Sequence, residues 1–199
     1  DWSSDVCSSD LRHYPMQMTT DTAVGFYTGG GSQSILMNGF TTQAYKPNLG
    51  AGGYSNTQAT TPQNLGAFAM APVSSTLFLY TYIDTTSSRL VCFAMSINAT
   101  TGNLTKGTEL DLGASNNSPY WSISAVDSTH ALITYQNSSN QHVARMISIS
   151  GTTCTAGTAT GSIVSGGDSG YQVTVLSSTL AHFTNGNYVY DLSLNTGTN

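Results

Sequence analysis

The stretch "YWSISAVDSTHALITY" (residues 120–135) decides the fold. Trp121, Ile123 and Ala125 alternate with Ser122 and Ser124, the period of two that puts large groups on one strand face and small ones on the other. Asp127, Ser128 and Thr129 make a polar turn, and "HALITY" returns as a β-branched, aromatic strand, completing a hairpin pattern. The pattern recurs in "HYPMQMTTDTAVGFYT" (13–28), "AFAMAPVSSTLFLYTY" (67–82) and "GYQVTVLSSTLAHFTN" (170–185). Aligned on a shared threonine, the copies are anchored at Thr22, Thr76, Thr129 and Thr179, about 50 residues apart. An aromatic precedes every anchor at the same distance, as Tyr14, Phe68, Trp121 and Tyr171. Beside each stands a small or polar residue, Pro15, Ala69, Ser122 or Gln172. The alternation predicts a crowded strand face and an opposite face that holds the bulky packing groups.

After the hairpin each copy is expected to have a polar turn and then a third strand, seen as "RLVCFAMSIN" (89–98), "HVARMISIS" (142–150) and "YVYDLSLN" (188–195). In the second and third copies a glycine-containing turn leads to a fourth, more polar strand. No helical periodicity competes. Tandem four-stranded units of this length resemble the blades of β-propeller repeat proteins, and the resemblance covers residues 12–199. No specific blade family is matched in full, although "YVYDLSLNTGT" is similar to the propeller repeats with a Tyr-Val-Thr-Asn signature. The expected fold is all-β, with about four antiparallel blades at 12–65, 66–118, 119–169 and 170–199. The first copy starts at its inner strand and the fourth stops after its third. These ends lead us to expect a fragment of a larger propeller. A single blade cannot bury both faces of its sheet, so the aromatic column is expected between neighbours.

Residues 1–11, "DWSSDVCSSDL", are the codon-by-codon translation of a common short-read sequencing adapter, and are read as a non-native segment. Setting them aside leaves the five basic residues facing seven acids in place of ten, and removes Cys7. Only 8% of the chain is charged, against about 25% in ordinary globular domains. Its Arg12, Lys46, Arg89, Lys106 and Arg145 are scattered. Nucleic-acid binding, which needs clustered bases to neutralise phosphates, is excluded. No apolar run reaches the roughly 18 residues of a membrane helix, so no membrane partner is expected. Low charge with abundant Ser and Thr suggests an extracellular, cell-surface or virion protein. In so Ser/Thr-rich a chain, the Asn-x-Ser/Thr motifs at Asn98, Asn103, Asn116 and Asn137 are no more frequent than chance.

Candidate chemistry reduces to little. "GGDSGY" (166–171) contains the Gly-Asp-Ser-Gly of chymotrypsin-like nucleophiles, but Tyr171-Gln172 replaces the Gly-Pro that follows in that family. No matching histidine segment precedes it, and the repeat alignment puts Asp168 and Ser169 in a loop between blades. His130 and His182 fall in otherwise apolar columns, predicting partly buried, hydrogen-bonded imidazoles. No ligand cluster for a metal recurs, and no cofactor is expected. Cys92 and Cys154 read as buried free thiols. Glu109 is the sole glutamate, and the aspartates fall mostly in turns, Asp21 and Asp127 at the hairpin corner. No pair suited to glycoside hydrolysis emerges.

The expected function is a non-enzymatic binding or structural module that meets a glycan or protein surface. The loops 28–32, 83–89, 136–141 and 185–187, with connectors 47–65, 112–119 and 161–170, would present amides, hydroxyls and aromatics. The candidate ligand-binding residues are Tyr54, Asp84, Asn117, Tyr120, Asn137, Asn140 and Asp168. The alternative is part of an extracellular carbohydrate-active hydrolase whose catalytic carboxylates lie outside this sequence.

Overall fold

The computed structural model describes the backbone of residues 13–17, 22–28, 35–41, 54–58, 65–84, 87–100, 103–114, 121–165, 171–186 and 188–196, and their side chains from residue 69 onward. Residues 1–11 lie outside it. The described segments are β-strands and turns without a helix, and every strand pair is antiparallel.

Strands β1 (His13–Gln17), β2 (Thr22–Thr28), β3 (Ile35–Thr41) and β4 (Tyr54–Gln58) form the first sheet. The second contains β5 (Leu65–Pro72), β6 (Leu77–Asp84), β7 (Arg89–Ile97) and β8 (Leu104–Lys106), with β9 (Leu110–Ala114) also on β7. The third repeats that plan in β10 (Trp121–Asp127), β11 (His130–Gln136), β12 (Gln141–Ser150), β13 (Thr153–Ala156) and β14 (Val164–Ser165), the last on β12. The fourth consists of β15 (Tyr171–Ser177), β16 (Leu180–Asn185) and β17 (Tyr188–Ser193).

The shared threonine closes these meanders. In three copies its amide donates to a side chain two residues earlier: Thr76 to Ser74 Oγ (3.3 Å), Thr129 to Asp127 Oδ1 (2.7 Å) and Thr179 to Ser177 Oγ (3.2 Å). Its carbonyl accepts an amide from the end of the third strand or just beyond it, from Ile97, Ile149 and Leu194 at 2.7–2.9 Å. One residue thus fixes the hairpin corner and the return of the next strand. Directly before it, the first strand of the third and fourth sheets bulges, between Ala125 and Asp127 and between Val175 and Ser177. The first sheet differs. Tyr14 pairs with Phe26, four residues past Thr22, whereas Phe68, Trp121 and Tyr171 pair with Tyr82, Tyr135 and Asn185, six past their anchors. Its hairpin register is therefore offset from the alignment on threonine.

The fourth-strand position is split. In the second sheet, β8 covers Met95–Ile97 and β9 covers the start of β7; in the third, β13 and β14 divide β12 in the same way. Segments expected as connectors therefore hold strands: β4 lies within 47–65, the end of β9 within 112–119 and β14 within 161–170. Polar "YSNTQ" lacks the alternation that would have revealed β4.

Sheets stack large face onto small face. On one side of the second sheet, Leu79, Ile83, Leu90, Cys92 and Ala94 form a single core with Trp121, Ile133, Tyr135, Val143, Ile147 and Cys154 of the third. Trp121 is buried, and its indole N–H donates to Thr81 Oγ1 across the joint (3.2 Å). Thr81 in turn donates to Ala69 O. The next joint packs Leu132 and Ala144 against Val173 and Ala181. There the small residues act directly: Ser122 Oγ accepts the Val173 amide (3.0 Å) and Ser124 Oγ the Val175 amide (3.4 Å). The matching offset of both bonds means that β10 and β15 run side by side in the same direction. At the first of these joints Gly107 is required by close approach, for a Cβ there would lie 1.8 Å from Thr152 O. The far face of the second sheet is aromatic, with Phe78, Tyr80, Tyr82 and Phe93 buried and Tyr80 and Phe93 centred 5.2 Å apart.

Candidate functional site

The first strand of a sheet begins where its partner ends: Trp121 pairs with Tyr135 and Tyr171 with Asn185. The chain therefore enters a sheet at the end that carries the turn between second and third strands. With β10 and β15 parallel, the turns after Gln136 and Asn185 share one end of the stack, and the bond from the Tyr135 hydroxyl to Leu112 O, on β9 beside the start of β7, puts the turn after Asp84 at that end as well.

Each of these turns uses a left-handed residue shortly before the third strand. They are Ser88 (φ 54°), Asn140 (φ 58°) and Gly186 (φ 51°). Asn and Gly tolerate this region best, which accounts for Asn140. Asn137 Oδ1 accepts the amides of Ser139 (2.9 Å) and Gln141 (3.1 Å), so that oxygen shapes its own turn. Asn140 N–H donates to Asn137 O, and Ser87 Oγ donates to Asp84 Oδ2. Ser138, Ser139 and Asn140 are exposed at the tip. Next to the neighbouring turn, Tyr188 is 66% exposed and Val189 64%.

Beneath the tips lies a buried polar layer. Gln136, His142, Thr134 and Asn185 are all buried at the joint between the third and fourth sheets. The His142 ring stacks on Tyr171 with centroids 3.7 Å apart, and Phe183 lies 5.8 Å away. Neither ring nitrogen of His142 is hydrogen-bonded, and Thr134 Oγ1 and Asn185 Oδ1 have no partner. Burial pushes the His142 imidazole down to about 4, so it is neutral at ordinary pH.

The described carboxylates are engaged. Asp111 pairs with Arg89, while Glu109 pairs with Lys106 (2.6 Å) and takes a hydrogen bond from the Tyr82 hydroxyl. Asp127 binds Thr129 and His130, and Asp191 Oδ1 stands 2.6 Å from His182 Nδ1. Both histidines are thus partly buried beside a carboxylate. Burial raises the Asp127 pKa, but the Thr129 amide and hydroxyl and the His130 ring outweigh it and hold the group below the usual value. Among the described residues no three His, Cys, Asp or Glu gather as metal ligands.

The expected site residues divide accordingly. Asn137 and Asn140 share one turn, and Asp84 opens the corresponding turn of the second sheet. Tyr54 lies in the first sheet, at the end away from the β2–β3 turn. Its strand runs antiparallel to β3 and pairs Tyr54 with Phe40, at the end of the first sheet that carries the β1–β2 turn. Asn117, Tyr120 and Asp168 lie outside the described residues. Sequence reasoning missed Tyr188 and His142. The alternation His142, Ala144, Met146 opposite Gln136 would have put the imidazole on the inward face.

No known family model and no curated protein sequence matches this chain.

Proposed function

We propose that the four sheets are blades of a β-propeller and that the chain is a non-enzymatic binding module of a cell or virion surface. It recognises a glycan through the turn end of its blades. The side-by-side arrangement of β5, β10 and β15, with β10 between the other two, supports the blade reading, since innermost strands line the axis of a propeller. So does the fourth sheet's outer face, where Gln172 and Thr174 are exposed at the positions that Ser122 and Ser124 occupy in the covered third sheet.

The observation that carries the glycan reading is the exposed Tyr188 ring beside turns tipped with serine and asparagine, at an end whose described carboxylates are already engaged, Asp84 by Ser87 and Asp111 by Arg89. A solvent-facing aromatic stacks on a sugar face, while neutral amides and hydroxyls exchange hydrogen bonds with its hydroxyls. A glycan array probed with the labelled chain should retain at least one glycan class. Tyr188→Ala should weaken that retention about tenfold while leaving stability within about 0.5 kcal/mol, as expected of an exposed position. Absence of any retained glycan, or equal retention by the variant, would reject the reading.

A further inference from the structure

We propose that Cys92 and Cys154 form a disulfide that joins the second sheet covalently to the third. Cys92 stands on β7, on the face that meets the third sheet, and Cys154 on β13, the outer strand of that sheet. Both belong to the same buried core, and both are free thiols in the structure. The Cys92 thiol is hydrogen-bonded to Cys154, whose sulfur also accepts the Ala94 amide. The two sulfurs thus face each other across a joint otherwise held by packing and by the Trp121, Tyr135 and Arg145 hydrogen bonds. Two buried thiols acting as small apolar groups need no such mutual contact.

Exposure sets the order of reaction: Cys154 is the more open of the two, at 9% against 0%. With a low-molecular-weight disulfide such as oxidised glutathione as oxidant, the Cys154 thiolate attacks one glutathione sulfur and expels a glutathione thiolate. Cys92 then gives up its proton and attacks the Cys154 sulfur, expelling the second glutathione. Two protein thiols are oxidised to one disulfide, and oxidised glutathione is reduced to two thiols.

The test uses the full chain carrying Cys7→Ser, so that only this pair remains. Folded protein is incubated with oxidised glutathione, and the intact mass, free thiols and Tm are measured against the same sample after reduction. The expected product is a monomer that has lost two hydrogen atoms, with Cys92 and Cys154 peptides linked in a non-reducing digest. Its Tm should be higher by several degrees, because a long loop of the unfolded chain is closed. The Cys92→Ala variant should stop at a stable glutathione adduct on Cys154. Two thiols persisting in the folded chain, chains cross-linked to each other, or a disulfide that lowers Tm would each overturn the proposal. Because oxidised and reduced forms of one sample are compared, the result does not depend on how well any variant folds.

Discussion

His142 is the residue whose surroundings make the sharpest demand. Its imidazole is buried against Tyr171 and its pKa is pushed down to about 4, whereas in the unfolded chain it returns to the ordinary value near 6.5. The unfolded state therefore binds a proton over a range in which the folded state does not. Stability contributed by the neutral ring is fully present above about pH 6.5 and declines as pH falls, by about 2 kcal/mol at pH 5. Urea midpoints measured from pH 7 to pH 5 should trace this loss, and His142→Phe, which keeps a ring in the stack, should remove it. An unchanged slope in the variant would contradict the assignment. Asp127 behaves oppositely in chemistry but not in direction: its lowered pKa contributes stability above the usual carboxylate range that is lost at more acidic pH. None of this was legible from His142 alone, because burial of that ring depends on which neighbour covers it. The partial burial of His130 and His182 was legible, since their columns were otherwise apolar, but only His130 makes the expected hydrogen bond, to Asp127.

At the scale of the element, the hairpin corner explains why a threonine recurs where the alignment needs an anchor. Its amide and carbonyl are both committed, to the residue two before it and to the returning third strand. Asp127→Ala strands the Thr129 amide and should cost about 1 kcal/mol, read from the shift in urea midpoint. Thr129→Ser, which keeps the backbone bonds, should cost less. Gly107 sits at another obligatory point, where an added Cβ would collide with the Thr152 carbonyl. Gly107→Ala should therefore destabilise by about 1–3 kcal/mol, as overpacking does, with unfolding still cooperative. The hairpins could be read from the sequence because alternation and turn residues are local signals. The split outer strands could not. β9 and β14 are too short to show a pattern of their own, and they are strands only because β7 and β12 offer unpaired edges to them.

Taken as a whole, the molecule is a series of meanders joined through side chains, and its joints are unequal. Between the second and third sheets a large apolar core surrounds Trp121; between the third and fourth a smaller one is flanked by the His142 layer. Trp121→Ala should cost about 3–5 kcal/mol, measurable by chemical denaturation, while the exposed Tyr188→Ala should not. The aromatic column announced where sheets would meet, and Trp121 and Tyr171 do reach the preceding sheet. The offset between sheets is set by three-dimensional packing, so the meeting of Cys92 with Cys154 from unlike strands left no trace in the repeat. The threonine closure has a last consequence, for synthesis. The second, third and fourth meanders are each sealed by a carbonyl only 15 to 21 residues upstream of the amide it binds, so these contacts form before the next unit is made. A nascent chain leaving the ribosome can set one sheet at a time, each finished surface serving as template for its successor.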